Sequence, residues 1–182
     1  GERLVTQVED VDTIYHLHRY AIPFNYITNK IVVDIASGEG YGSNLMAKTA
    51  KEVYGVDISS EAISFATLKY GKTKNLKFLE GTVEKIPLKD SFVDVVVSFE
   101  TLEHTDKHEE MMGEIKRILK PGGILIISSP DKANYSDRFN RVNQFHVKEL
   151  YMKDFKALMN SYFKHTHFYY QTFLTGSFIV KE

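Results

Sequence analysis

Three groups of side chains in this 182-residue chain have types and spacings suited to chemistry. Glu100, Glu103 and His104 place three ionisable groups within one short segment, and a single helical turn would bring them to one face. His146 supplies a second imidazole further along. Such groups can take a proton from a hydroxyl, or offer oxygen and nitrogen ligands to a hard or borderline divalent ion. The second group runs Asp34-Ile35-Ala36-Ser37-Gly38-Glu39-Gly40-Tyr41-Gly42 and is followed, after a helix-like interval, by Asp57 and Ile58. Its glycines would let a ligand lie against bare backbone, and an acid ending the second apolar run can hold a ribose diol. A carboxylate at Asp34 would repel a phosphate and would suit a cationic or amino-bearing ligand. The third group is Tyr15-His16-Leu17-His18-Arg19-Tyr20, where the Arg19 guanidinium could grip a carboxylate or phosphate through two donors; the equal alternative is a helix that packs Tyr15, Leu17 or Tyr20 onto the core while its histidines and Arg19 face water.

These groups need a scaffold, and the apolar pattern predicts one. Short apolar runs at 31–35, 52–56, 76–79, 92–98 and 124–128 read as strands. Helical spacing recurs at 43–50, after Ser59-Ser60-Glu61, at 106–119 and at 147–160. The run Phe92-Val93-Asp94-Val95-Val96-Val97-Ser98 is nearly continuous in its hydrophobicity, as a parallel strand covered on both faces must be. Regular strand–helix alternation predicts a doubly wound α/β sheet. Two aromatic-rich runs, 162–170 and 173–180, are joined by too few residues for a parallel crossover and must be antiparallel. Pro121-Gly122-Gly123 reads as a helix stop. Residues 1–29 form an N-terminal arm and 30–182 the domain.

Composition narrows the class. With 43% hydrophobic residues, 23 basic and 24 acidic side chains, the chain is globular, and its net charge of −1 argues against a broad nucleic-acid surface. No apolar run approaches the roughly 20 residues of a membrane span, and the first residues lack a signal-peptide pattern, so a cytoplasmic location is expected. The absence of cysteine removes thiolate metal sites and cysteine nucleophiles.

The loop from Asp34 to Gly42 resembles the first motif of class I S-adenosylmethionine-dependent methyltransferases, Asp-x-Gly-x-Gly-x-Gly, with Ala36 in place of the first glycine. That resemblance implies a Rossmann-like methyltransferase fold with seven strands, mostly parallel and ending in a reversed strand. It implies S-adenosyl-L-methionine as cofactor, held by Asp34, Ala36, Ser37, Gly38, Gly40, Tyr41, Asp57 and Ile58, with Arg19 able to reach its carboxylate. Gly81-Thr82-Val83-Glu84 matches the adenine segment, with Thr82 where the family has an acid; Val83 and Glu84 would flank the base. Ser98 and Phe99 would line the space beneath the methyl group. Glu100-x-x-Glu103-His104 resembles the Mg2+ element of ubiquinone-pathway and small-RNA methyltransferases, which implies a metal set of Glu100, Glu103, His104 and His146. The metal-free alternative makes His104 or His146 a general base. The arm and Phe145-His146-Val147-Lys148-Glu149-Leu150 resemble methyltransferases associated with polysaccharide biosynthesis. The function implied is O-methylation of a small molecule, sugar or nucleotide sugar, in polysaccharide or secondary-metabolite biosynthesis, with Tyr135, Phe139 and Phe145 able to stack on the acceptor. A non-catalytic cofactor-binding module and a nicotinamide-dependent oxidoreductase are the competing readings.

Overall fold

The structure, a computed structural model, describes residues 11–140, 142–173 and 177–181. Strands β1 (Ile31–Ile35), β2 (Glu52–Asp57), β3 (Leu76–Glu80), β4 (Val93–Phe99) and β5 (Leu119–Ser128) form a sheet of order β3-β2-β1-β4-β5. Every neighbouring pair in it is parallel. Helices α1 (Val11–Arg19), α2 (Tyr41–Met46), α3 (Ser60–Tyr70), α4 (His108–Ile118) and α5 (Met152–Tyr162) complete the alternation.

Successive residues on a strand face opposite sides, so a strand covered twice must be apolar at every position. Val33, Ile35 and Val96 pack with Met111, Met112 and Ile115 of α4 and with Met159 of α5. Their neighbours Val32, Val53, Val95 and Val97 pack on the other side with Met46, Ala47 and Tyr20. Helix α3 begins where Ser59 Oγ accepts from the Ala62 amide at 3.3 Å, and buries Ala62 and Ala66.

Four expectations shift. Helix α4 stops at Ile118, before Pro121, and β5 starts at once: Leu119 pairs with Val93, while Val95 pairs with Ile124. Residues 120–123 therefore bulge out of the ladder, with Gly122 at φ 77°. Helix α5 starts at Met152, later than expected, because the preceding residues are tied into a loop. Tyr162 closes α5, so the first terminal strand is the shorter β6 (Tyr169–Phe173), antiparallel to β7 (Ser177–Lys181) as expected; Gly176 lies outside the described residues. This pair forms a sheet of its own, so the expected single sheet of seven strands is five strands plus a hairpin. A cleft of about 2110 Å³ takes walls from both β5 and β6, and the free edge of β5 faces it.

Candidate active site

In a parallel sheet the loops that follow the strands all leave from one edge. Here the loops after β1, β2, β3 and β4 are neighbours in the order of the strands. The Gly38 amide donates to Asp57 Oδ2 at 2.8 Å and the Ser59 amide to Oδ1 at 2.9 Å, which fixes the carboxylate at the end of β2. The Gly81 amide donates to the Asp57 carbonyl at 3.0 Å, bringing Thr82, Val83 and Glu84 beside it. Ile58, the next residue, is 71% exposed, an apolar side chain presented to the mouth of these loops.

The glycine loop turns sharply. Gly38 and Gly40 take φ 52° and 80°, and a Cβ on Gly40 would lie 2.5 Å from the Phe78 ring. Ala36 takes φ 58°, so the residue replacing the motif's first glycine sits in the left-handed region that disfavours a side chain. Glu100, directly after β4, has φ 51°. Two non-glycine residues in this region, each just beyond a central strand, mark a loop edge held under strain, which is where binding and catalytic residues concentrate.

Asp34 lies under the loop, not at its mouth. Its carboxyl is 1% exposed and accepts from Ser43 Oγ at 2.6 Å and from Tyr20 Oη at 3.4 Å. Burial pushes it up to about 7 against the pull of these two donors, so little bare charge is offered to a cation. Asp34 thus supports the loop from below. Tyr20 and Ser43 were not anticipated as site residues. Tyr20 packs edge-on to Tyr41 and Phe99, with ring centroids at 5.5 and 5.0 Å, and its ring occupies the space a Cβ on Gly42 would need. The sequence signals for that contact are the third glycine and the alternative in which Tyr20 packs onto the core, where it is indeed buried. Ser37 and Ser98, both buried, keep hydroxyls with no hydrogen-bond partner among the described residues.

Beyond β4 the chain reverses at Glu100 and enters a 3-10 turn, Leu102–His104. That reversal removes Glu100 from the face it was expected to share with Glu103 and His104. Its carboxylate accepts from Ser128 Oγ at 2.6 Å and pairs with Arg19 Nη2 at 3.3 Å. Arg19 Nη1 is buried and without a hydrogen-bond partner among the described residues. Glu103, 1% exposed, accepts from Ser129 Oγ at 3.0 Å; burial, then the Glu100 charge, pushes it up to about 8.

His104 and His146 meet edge to face, centroids 5.1 Å apart. The loop bearing His146 is pinned to the turn bearing His104: the Val147 and Lys148 amides donate to the Glu103 carbonyl at 2.8 and 3.1 Å. His104 Nδ1 lies 2.9 Å from the Phe145 carbonyl, which can only accept, so Nδ1 carries the hydrogen and Nε2 the lone pair. Tyr135 stacks on His146 at 5.2 Å, so it does not stand ready for an acceptor as expected, whereas Phe139 and Phe145 are exposed. One end of the cleft along β5 is formed by Arg19, Glu100, Glu103, His104 and His146.

One ligand atom each from Glu103, His104 and His146 falls within 4.8 Å of the others. Glu100, the fourth expected ligand, is held elsewhere. One carboxylate and two imidazoles are a nitrogen-rich set, and Mg2+ demands oxygen ligands. The residues do not fit the expected Mg2+ site.

A model of the methyltransferase domain matches residues 33–127, more than half the chain, from β1 through β5. The chain belongs to the type 11 S-adenosylmethionine-dependent methyltransferase family. Membership sets aside the oxidoreductase reading. A probable S-adenosylmethionine-dependent methyltransferase of Mycolicibacterium smegmatis is 28% identical over 166 residues, covering 88% of this chain and 63% of its own length. A demethylmenaquinone methyltransferase of Chlorobaculum tepidum is 36% identical over 100 residues, 54% of this chain and 40% of that protein. The chain thus spans less than two thirds of the length of these relatives. In fold it is similar to an S-adenosylmethionine-dependent methyltransferase of Thermotoga maritima, with a TM-score of 0.75 at 22% identity over 93% of this chain and 83% of that one. No helix among the described residues is long and apolar enough to cross a membrane.

Proposed function

We propose that this methyltransferase moves the methyl group of S-adenosyl-L-methionine to a hydroxyl oxygen of a small-molecule acceptor without a metal. Residues 30–182 hold the donor, and the arm, through its described residues 11–29, closes one side of the site. The ribose hydroxyls meet Asp57, whose two oxygens retain lone pairs beside their amide partners. The adenine lies between Ile58 and the Val83–Glu84 segment. The methionine end lies over the backbone of Ala36, Ser37, Gly38 and Gly40, beside Tyr41 and above Ser98 and Phe99. The unsatisfied Arg19 Nη1 receives its carboxylate.

The observation that carries the reading is the pair of imidazoles set beside the strained end of β4, where the donor side of the sheet edge meets the cleft. In the transfer step the acceptor oxygen attacks the methyl carbon and the carbon–sulfur bond breaks. The bonding pair returns to sulfur, giving S-adenosylhomocysteine, and the hydroxyl proton passes to Nε2 of His104 or His146. Placement and proton removal suffice for so activated a methyl group. A sugar or nucleotide-sugar acceptor, as in polysaccharide biosynthesis, would meet Lys132 and Arg138 on the loop after β5 and stack on Phe139 or Phe145.

Two measurements test this. Saturating S-adenosylhomocysteine should raise the melting temperature, since a ligand bound only by the native state adds RT ln(1 + [L]/Kd), about 2.7 kcal/mol at a hundredfold excess over Kd. In a methyl-transfer screen of nucleotide sugars and phenols, chelator treatment or added Mg2+ should leave turnover unchanged within twofold. Donor binding with no turnover on any acceptor would favour the non-catalytic module. Loss of turnover on chelation would restore the metal.

A further inference from the structure

We propose that Glu149 is a positioning residue for methyl transfer: it holds His146 in the tautomer that turns Nε2 toward the acceptor, and so makes His146 the base of the pair. This rests on the methyltransferase reading above. Glu149 Oε1 lies 2.6 Å from His146 Nδ1, and both side chains are 7% exposed. A carboxylate only accepts, so the Nδ1 hydrogen points at it and the Nε2 lone pair faces the other way. His104 Nδ1 is oriented by a neutral backbone carbonyl instead, so of the two rings it is His146 whose Nδ1 hydrogen bond goes to a carboxylate.

The surroundings of the dyad are built to keep it. Two successive residues of the short helical turn Ala133–Asp137 serve one partner each: Tyr135 stacks on the imidazole and Ser136 Oγ donates to Glu149 Oε1 at 2.7 Å. The second oxygen, Glu149 Oε2, is buried with no hydrogen-bond partner among the described residues. Leaving a carboxylate oxygen unsatisfied in this way costs stability, and a purely structural position would be expected to shed that cost. The same relation, a buried carboxylate behind an imidazole, fixes tautomer and stabilises the protonated ring in other bases.

The decisive experiment reads the tautomer without any acceptor. In the full chain, uniformly labelled with nitrogen-15 and saturated with S-adenosylhomocysteine, long-range proton–nitrogen correlation at pH 7.5 should show His146 with Nδ1 protonated and Nε2 bare, assigned by its loss in H146Q. In E149A the ring should revert to the Nε2-protonated form that free imidazole side chains prefer, while E149Q, whose amide oxygen still accepts, should keep the native form. With an acceptor from the screen, E149Q should then lower kcat by about 10- to 100-fold, a part of the ~10²–10⁴ that a general base supplies, with KM within twofold. A wild-type His146 protonated on Nε2, or a tautomer unchanged in E149A, would overturn the proposal. So would an E149Q enzyme of unchanged kcat, which also decides the matter if E149A does not fold. Failure of the methyltransferase reading shows separately, as absence of any melting shift with S-adenosylhomocysteine.

Discussion

Ala36 carries a side chain through a backbone conformation that costs an L-residue about 1–2 kcal/mol. Glycine there avoids that cost but loses roughly 0.5–1 kcal/mol more chain entropy on folding. Ala36→Gly should therefore raise stability by about 0.5–1 kcal/mol, and Ala36→Val should lower it, both read from urea melts. The two buried acids make an opposite kind of prediction. Asp34 and Glu103 have folded-state values of about 7 and about 8, above their ordinary 3.8 and 4.5, so between about pH 4 and 8 the native state holds protons that the unfolded chain has released. Stability falls as pH rises through that window, by up to about 1.4 kcal/mol per unit for each group, and the loss is complete above it. Melting temperature recorded from pH 5 to 8 should decline, and Glu103→Gln should flatten the decline. The glycine loop was legible in the sequence as a turn because it forms one contiguous stretch with a recognisable spacing. The contacts across the fold were not: Tyr20 reaches Asp34, and Arg19 reaches Glu100, only because the fold brings the arm across the sheet edge.

Among the elements, α1 and the glycine loop act as one piece. The Tyr20 ring fills the place of a Gly42 side chain, so Gly42→Ala must push the arm outward or the loop inward. Overpacking of this kind costs about 1–3 kcal/mol. The expected result is a lower melting temperature and weaker S-adenosylhomocysteine binding by calorimetry. Gly113, which has open space around the added atom, is the control position and should leave binding unchanged. Five strands and four helices could be read from periodicity because each buries a face whose spacing is intrinsic to the element. What periodicity does not encode is the meeting of separate segments. The bulge at 120–123 arises where β5 re-registers against β4, and the reversal at Glu100 arises from a single backbone angle. Both moved side chains that a regular element would have placed elsewhere, and the second dissolved the expected four-ligand metal set.

For the molecule as a whole, the strand order fixes a division of labour along one edge. Under the proposed function, the loops after β1, β2 and β3 serve the donor, and what faces the cleft beyond β4 and β5 serves the acceptor. The loop between β5 and α5 is closed at its base: Asp131 bridges Leu150, and the Lys132 amide donates to the Leu150 carbonyl at 3.0 Å. The Met152 amide adds a bond to Asp131 Oδ1 at 3.1 Å, so both ends of the loop are clamped to the same residue before α5 begins. A segment whose ends are fixed together can diverge between them at positions that do not hold the His104–His146 pair in place, such as the exposed Phe139, while mutations there leave the loops after β1, β2 and β3 untouched. Residues 132–149 are thus a cassette: exchanging them between members of the family, with the His146–Glu149 pair kept, should transplant acceptor choice while donor affinity stays where it was, a route by which one scaffold acquires new substrates in a single insertion.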